Sequence, residues 1–215
     1  MEASEDLREL WRRIGYTEKV IDHFMHPRNV GEMKDADVTS TVGSVACGDM
    51  IKIFLKVDES DRIEKISFLS YGCASNIATT SVMTELVKGK TLDEAKKLTF
   101  KEIVEALGGL PAIKYHCAVL SVSGLRTAIA KYEVKKGRRP LDQDFVRTLL
   151  KGVLDPMTGR DIVSMGKVKS ISIHNKTIDL ELDMPEEDQT SKLVREEILD
   201  AFEGLEVSLN VKFSG

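Results

Sequence analysis

The three cysteines are the residues of this chain with the clearest capacity for chemistry. Each lies in one of three short stretches: Ala46-Cys47-Gly48-Asp49, Tyr71-Gly72-Cys73-Ala74-Ser75 and Lys114-Tyr115-His116-Cys117. Thiolates are soft ligands that hold zinc and iron–sulfur clusters, whereas a carboxylate or an imidazole binds more labilely. Cys47, Cys73 and Cys117, with Asp49 and His116, therefore form a candidate first shell for a metal ion or an iron–sulfur cluster.

Spacing alone leaves this site open. The cysteines are 26 and 44 residues apart, which matches no local zinc signature such as CxxC. Isolated buried cysteines are also common in folded proteins. A Cys–His nucleophile pair for hydrolysis is the third reading, but no orienting partner for it stands out in the sequence.

The elements that must position these residues meet at the cysteines. Strand-like runs flank Cys47, and a further strand-like run before Cys73 gives way to a helical pattern for which Ser75 is the predicted N-cap. Cys117 begins a long helical stretch. A helix N-terminus favours a thiolate. On a regular helix His116 and Cys117 diverge by about 100°, so sharing a metal would require an irregular turn.

The whole chain is predicted to be α+β. Alternating apolar and polar residues over 38–70 predict a three-stranded antiparallel sheet, and helical patterns follow it. The basic run at Lys135–Pro140 separates a first domain, 1–137, from a second small α+β domain, 138–215. The second domain is predicted to contain a helix, two strands, a helix and a last strand.

Composition disfavours several classes of protein. A net charge of −4 argues against nucleic acid as the main partner, and the short basic run Lys135–Arg139 is interpreted as a solvated linker. No run of about 18 apolar residues predicts a membrane span. The acidic N-terminus lacks a secretory profile, so we expect a cytoplasmic protein with reduced cysteines.

Two further histidines, His23 and His26, lie on one predicted helix near Arg28. The pair has two readings, metal ligation and surface or core packing. It is interpreted as packing or surface residues.

At this point a family resemblance becomes clear. Tyr16-Thr17-Glu18-Lys19-Val20-Ile21-Asp22-His23-Phe24, Pro27-Arg28-Asn29-Val30-Gly31 and the three cysteine stretches together resemble IscU/NifU-type iron–sulfur cluster assembly scaffolds. The resemblance covers about Tyr16 to Lys136. It implies a SufE/NifU-like fold for this part of the chain, with helices packed on an antiparallel three-stranded sheet.

The resemblance also implies a function. Such a protein is a scaffold rather than an enzyme: it assembles a [2Fe–2S] or [4Fe–4S] cluster and passes it to apo-proteins. The implied thiolate ligands are Cys47, Cys73 and Cys117, with Asp49 and His116 as alternative ligands. Asp49 favours cluster lability in such proteins, and zinc often occupies the cluster-free form.

The sulfur supply is implied in the same way. Cys117 resembles the cysteine that accepts persulfide sulfur from a cysteine desulfurase, and Lys114 flanks it. The alternative is a zinc-bound sulfur-relay or regulatory partner of a desulfurase. That role would need Cys117 but not simultaneous ligation by Cys47 and Cys73.

Two departures from the family concern partners. Bacterial members carry a Leu-Pro-Pro-Val-Lys stretch that a DnaK-type chaperone reads, whereas this chain has Leu110-Pro111-Ala112-Ile113-Lys114. The departure speaks against that partnership. The extra N-terminal helix carries Leu10 and Trp11, which we expect to serve a homodimer contact.

The C-terminal unit resembles a SufT-like (MIP-type) iron–sulfur assembly domain. The resemblance rests on Val153-Leu154-Asp155-Pro156 and on the segment Asp161–Val168. The cysteine usual in that domain is absent, and Met184-Pro185-Glu186-Glu187-Asp188 stands there instead. A docking or dimerising role is therefore expected rather than a second metal site.

Overall fold

The structure is a computed structural model that describes residues 5–44 and 48–215. The helices are α1 Glu5–Arg13, α2 Glu18–Met25, α3 Ala74–Val87, α4 Leu92–Lys96, α5 Phe100–Ala106, a short 3₁₀ helix Ala112–Lys114, α6 Tyr115–Lys135, α7 Gln143–Leu150 and α8 Gln189–Phe202. The strands are β1 Val38–Ser44, β2 Asp49–Val57, β3 Ile63–Tyr71, β4 Val168–His174, β5 Thr177–Leu182 and β6 Ser208–Phe213. The predicted α+β class is confirmed.

The first sheet has the order β1-β2-β3, with both pairings antiparallel. Side chains alternate across it, and one face packs against α6 and α3 to form the larger core. The register pairs Asp49 with Ser44 and Met50 with Tyr71. The start of β2 and the end of β3 therefore meet at one end of the sheet, which is where Cys73 follows.

The second sheet has the order β4-β5-β6. Strands β4 and β5 form an antiparallel hairpin, and β6 adds to β5 in parallel after the chain has crossed through α8. Helices α7 and α8 cover this sheet and close a second hydrophobic core. The predicted order of helix, two strands, helix and strand is the order observed.

Helix α6 joins the two cores. Most of its buried face packs in the first core, but Ala130 packs in the second. Beside it, Lys131 is 1% exposed and its Nζ donates to the carbonyl oxygens of Thr39 at 3.0 Å and Glu203 at 2.8 Å. Burial lowers the pKa of Lys131 to about 8. A buried ammonium thus ties β1 to the end of α8.

Several apolar side chains lie at the surface. The helical pattern of α6 predicts that Val119 is buried, but 49% of it is exposed. In α1, Leu7 and Leu10 are exposed, as is Ile14 just after it, whereas the ring of Trp11 packs edge-on against Phe24 with the ring centroids 5.4 Å apart. In the described ranges, 5–44 and 48–215, no helix has the length and apolar character needed to cross a membrane.

Candidate metal and sulfur site

Three elements bring the predicted ligands to one end of the first sheet. Asp49 opens β2, Cys73 immediately precedes α3, and Cys117 lies in the first turn of α6. Both helices point their N-termini at the same place, where free backbone N–H groups and the helix dipole favour negative charge. The position therefore suits thiolates.

The two described cysteines form a close pair. Their Sγ atoms are 3.7 Å apart, with Cys117 buried and Cys73 partly buried. Neither is in a disulfide. This separation allows both sulfurs to bind one metal ion, since Zn–S distances are about 2.3 Å. Cys47 lies outside the described residues, so its place in the ligand set stays a prediction.

Asp49 connects the ligands. Its Oδ1 accepts the backbone N–H of Cys73 at 3.1 Å, and its Oδ2 lies 3.2 Å from Nε2 of His116 and 4.0 Å from Sγ of Cys117. One ligand atom from each of Asp49, His116 and Cys117 fits within 4.8 Å. Carboxylate, imidazole and thiol therefore face a common point.

The orientation of His116 suits a ligand. Its Nδ1–H donates to the carbonyl of Ile113 at 2.9 Å, which leaves Nε2 facing Asp49 and, at 3.4 Å, the sulfur of Cys117. A backbone partner on one ring nitrogen commonly orients the other toward a metal. The prediction that His116 and Cys117 would need an irregular turn to share a metal is wrong, because both lie in the first turn of α6 and their ligand atoms still approach to 3.4 Å.

The pKa values of the two thiols are shifted in opposite directions. A hydrogen bond from Cys117 lowers the pKa of Cys73 to about 5, with help from the backbone N–H of Asn76 and the charge of Lys114. The same hydrogen bond, with burial, raises the pKa of Cys117. The Cys73 thiolate in turn raises the pKa of Lys114. The hydrogen bond between the sulfurs and the charge of Lys114 therefore both favour a thiolate at Cys73.

Sequence reasoning assigned the start of α3 wrongly. Cys73, not Ser75, is the N-cap, with extended backbone angles and no side-chain cap hydrogen bond. Ser75 is fully buried and donates to the Tyr16 hydroxyl at 2.8 Å. A tertiary partner therefore takes the serine hydroxyl that local preference would have used as a cap.

Sequence reasoning also missed the part played by Gly72. A Cβ on Gly72 would overlap Oδ1 of Asp49, and it would lie 2.5 Å from Nδ2 of Asn76. Glycine thus provides the space through which Asp49 reaches the Cys73 N–H. The Tyr-Gly-Cys order contained this signal, but only the sheet register identifies Asp49 as the neighbour.

The other histidines lie elsewhere. His23 is 8% exposed, its Nδ1 lies 2.8 Å from the Ser81 hydroxyl, and burial lowers its pKa. His26 pairs with Asp22 at 3.3 Å. Their interpretation as packing and surface residues agrees with these contacts. In the described part of the chain, Asp49, His116 and Cys117 are the grouping with metal-binding geometry.

A thiol pair, an imidazole and a carboxylate meet at the end of a helix-packed antiparallel sheet, and these are donor groups of the kinds that bind metal ions in α+β proteins. The family described as NifU-like N terminal domain matches residues 15–139, and residues 143–213 match the family described as Iron-sulfur cluster assembly protein. Because the first match covers more than half of the sequence, the chain belongs to the NifU-like N-terminal domain family.

Curated relatives agree with this membership. The chain is 51% identical over 123 residues to iron-sulfur cluster assembly scaffold protein IscU 1 of Archaeoglobus fulgidus, covering 57% of this chain and 80% of that protein. It is 44% identical over 126 residues to IscU of Escherichia coli K12, covering 57% and 98%. The crystal structure of a NifU-like protein (N-terminal) from Brucella abortus aligns with a TM-score of 0.44 at 20% identity, covering 55% and 94%.

Proposed function

We propose that this protein is a scaffold on which an iron–sulfur cluster is assembled and from which it is passed to apo-proteins. The observation that carries the proposal is the 3.7 Å pair of Cys73 and Cys117 sulfurs beside Asp49 and His116. The names of the relatives, iron-sulfur cluster assembly scaffold proteins, support it. The cluster is cargo, of either the [2Fe–2S] or the [4Fe–4S] type.

The donor set combines strong and weak ligands, which suits a cluster that must be bound and later released. Cys73 and Cys117, with Cys47 as the predicted third thiolate, supply soft ligands of high affinity for iron. Asp49 and His116 supply weaker bonds and have alternative partners in each other at 3.2 Å. The exchangeable position therefore belongs to Asp49 or His116, and zinc would occupy the same donors when no cluster is present.

Sulfur enters at Cys117 in this proposal. Cys117 first passes its proton to the Cys73 thiolate through the hydrogen bond between the two sulfurs. The Cys117 thiolate so formed attacks the outer sulfur of a persulfide on a cysteine desulfurase. A new S–S bond forms at Cys117, and the desulfurase cysteine leaves as a thiolate, so no external oxidant is needed. Lys114, whose pKa is raised by the Cys73 thiolate, supplies positive charge beside the transferred sulfur.

The remaining parts of the proposal concern assembly and location. The division into domains 1–137 and 138–215 stays a prediction, as do the homodimer contact through Leu10 and Trp11 and a cytoplasmic location. Ile113, which is 80% exposed, stands in the stretch where bacterial relatives bind a chaperone, and we retain the expectation that this chain does not share that partner.

Anaerobic reconstitution tests the proposal. The metal-free protein is incubated with ferrous iron and sulfide, desalted, and assayed for bound iron, bound sulfide and visible charge-transfer absorption. Wild type should retain a coloured cluster and transfer it to an apo-ferredoxin. The single variants Cys47→Ser, Cys73→Ser and Cys117→Ser should each lose most of the retained iron.

The same variants test the alternative. If Cys117→Ser alone abolishes sulfur acceptance from a desulfurase and wild type retains no iron, the protein is a sulfur relay and not a scaffold. A control variant, His26→Ala, alters an exposed histidine away from the site and should retain the cluster as wild type does.

A further inference from the structure

The side chain of Asn76 is buried beside the site without a hydrogen-bond partner. It is fully buried, and neither Nδ2 nor Oδ1 has a partner among the residues that the structure describes. A buried amide in this state is costly, so it calls for a physical explanation. Its backbone is fully engaged: the carbonyl accepts the hydroxyls of Thr79 at 3.1 Å and Thr80 at 2.8 Å.

The amide of Asn76 lies next to a bond that Asp49 makes. Nδ2 of Asn76 and Oδ1 of Asp49 both approach the point where a Cβ on Gly72 would stand. The next residue, Cys73, donates its backbone N–H to Oδ1 of Asp49 at 3.1 Å. The side chains of Asn76 and Asp49 therefore border the same space beside the backbone of Gly72 and Cys73.

The position of Asn76 in α3 allows its side chain to cap the helix by accepting the backbone N–H of Cys73. Cys73 is the N-cap of α3, which makes Asn76 the third residue of the helix. In a capping box the side chain of this third residue reaches back and accepts the N–H of the N-cap residue. Here Asp49, a residue from another element, holds that N–H instead. A rotation of about 180° around the Cβ–Cγ bond of Asn76 exchanges the positions of its Oδ1 and Nδ2 atoms, which places the acceptor Oδ1 where the donor Nδ2 now lies.

We propose that Asn76 is a positioning residue that accepts the Cys73 N–H whenever the Asp49 carboxylate leaves it for the metal. Asp49 could then move between a resting position on the backbone and the cargo while Cys73 keeps its geometry. The role of this exchange in cluster handling rests on the proposed function, whereas the exchange itself is a property of the metal-free protein.

A double-mutant cycle on the metal-free protein tests the exchange. Asn76→Ala in the wild-type background should change the folding equilibrium constant less than about twofold, because the amide has no partner there to lose. In the Asp49→Ala background, the same substitution should lower the constant about tenfold, since it then leaves the Cys73 N–H without an acceptor. Unfolding by urea measures both.

Control variants separate exchange from general damage. Asn29 donates through Nδ2 to the Thr84 hydroxyl at 2.9 Å, so Asn29→Ala should cost the same in both backgrounds. Asn76→Gln keeps an acceptor at the third helical position and should retain most of the stability that Asn76→Ala loses with Asp49→Ala. If the double alanine variant does not fold, hydrogen exchange of the Cys73 amide in Asp49→Ala supplies the test, because Asn76 should keep this amide protected.

The proposal would be overturned if Asn76→Ala lowered the folding equilibrium constant equally in the two backgrounds, or in neither. Rapid hydrogen exchange of the Cys73 amide in Asp49→Ala would also overturn it. Zinc binding is the second, functional test. Asn76→Ala should weaken zinc binding about tenfold, as the loss of an outer-shell partner typically does. A protein that shows the predicted cycle but retains no cluster would refute the proposed function and leave the exchange intact.

Discussion

At the scale of single residues, the two thiols of the site differ in burial and in pKa. Cys117 is buried and Cys73 partly exposed, and their sulfurs share one hydrogen bond at 3.7 Å. This hydrogen bond lowers the pKa of Cys73 in the absence of a metal. Cysteines that react readily are those with a lowered pKa and access to solvent.

The pair therefore predicts how Cys73 reacts. Because the pKa of Cys73 is lowered, Cys73 should react with iodoacetamide at a lower pH than an ordinary cysteine, whose pKa is about 8.5. Cys117→Ala removes the hydrogen bond that is the largest cause of this shift, so alkylation of Cys73 should require a higher pH. Mass spectrometry of the modified peptide over a pH series measures the profile. An unchanged profile in Cys117→Ala would contradict the pairing, and Cys47→Ala is the matched cysteine control.

The close contacts of Gly72 predict a loss of metal affinity when this residue is replaced. A methyl group at this position would displace the carboxylate of Asp49 and the amide of Asn76, and it would lie 3.2 Å from the Cβ of Asn76. Gly72→Ala should weaken zinc binding about tenfold, by analogy with lost outer-shell contacts. A chelator competition assay measures this.

The effect of Gly72→Ala should largely disappear when Asp49 is already alanine. Two substitutions that act through one carboxylate are not additive. Fully additive losses of zinc affinity in the double variant would mean that Gly72 acts by another route.

At the scale of elements, alternation and glycine punctuation were enough to predict the strands. The sequence pattern predicts strands over 168–174 and 177–182, which are the bounds observed, and the three-stranded antiparallel sheet is confirmed. Periodicity shows which residues share a face but not what covers that face. For this reason the exposure of Val119 in α6 could not be read from the sequence.

The site was predictable to the same extent. Residue type and order identified Asp49, Cys73, His116 and Cys117 as candidates, because thiols and their polar neighbours are scarce and distinctive. The contribution of Asn76 could not be predicted, since its proximity to Asp49 arises from pairing between strands distant in sequence. Residue types identify the candidate metal donors, whereas the contacts that orient these side chains become visible only in the folded structure.

The contact between α2 and α3 predicts a pH dependence. Burial, chiefly, lowers the pKa of His23, whose Nδ1 lies 2.8 Å from the Ser81 hydroxyl. Since its pKa is lower in the folded state than in the unfolded state, the unfolded state binds more protons in the window below the ordinary histidine pKa of about 6.5. The free energy of unfolding should therefore fall as the pH drops through that value.

Urea unfolding at pH 7.5 and 5.5 measures this dependence. His23→Gln should reduce the difference between the two conditions. A difference that survives His23→Gln in full would assign the pH dependence to another group.

At the scale of the whole molecule, α6 and the buried Lys131 couple the metal-binding region to the second core. Lys131 donates to carbonyls of β1 and of the residue after α8, and no carboxylate shares its burial at hydrogen-bond distance in the described structure. An unpaired buried ammonium costs free energy, and the cost falls when the amine loses its proton. The two units are thus joined by a group that is more stable uncharged.

This coupling predicts alkaline stabilisation. The pKa of Lys131 is about 8 in the folded protein and 10.5 as the ordinary value. Between these values the unfolded state binds more protons, so the free energy of unfolding should rise with pH, by up to roughly 3 kcal/mol from this group. Lys131→Met should lack that rise, and the difference between wild type and variant isolates it from other titrating groups. Parallel curves for the two proteins would contradict the account.

The central claim is that the sulfurs of Cys73 and Cys117 bind the same metal ion. X-ray absorption at the zinc edge of protein loaded with one equivalent of zinc tests it most directly. The account predicts at least two sulfur neighbours at about 2.3 Å with nitrogen or oxygen at about 2.0–2.1 Å, and one sulfur fewer in either Cys73→Ser or Cys117→Ser. A zinc shell of nitrogen and oxygen alone, or a sulfur count that neither variant changes, would contradict it.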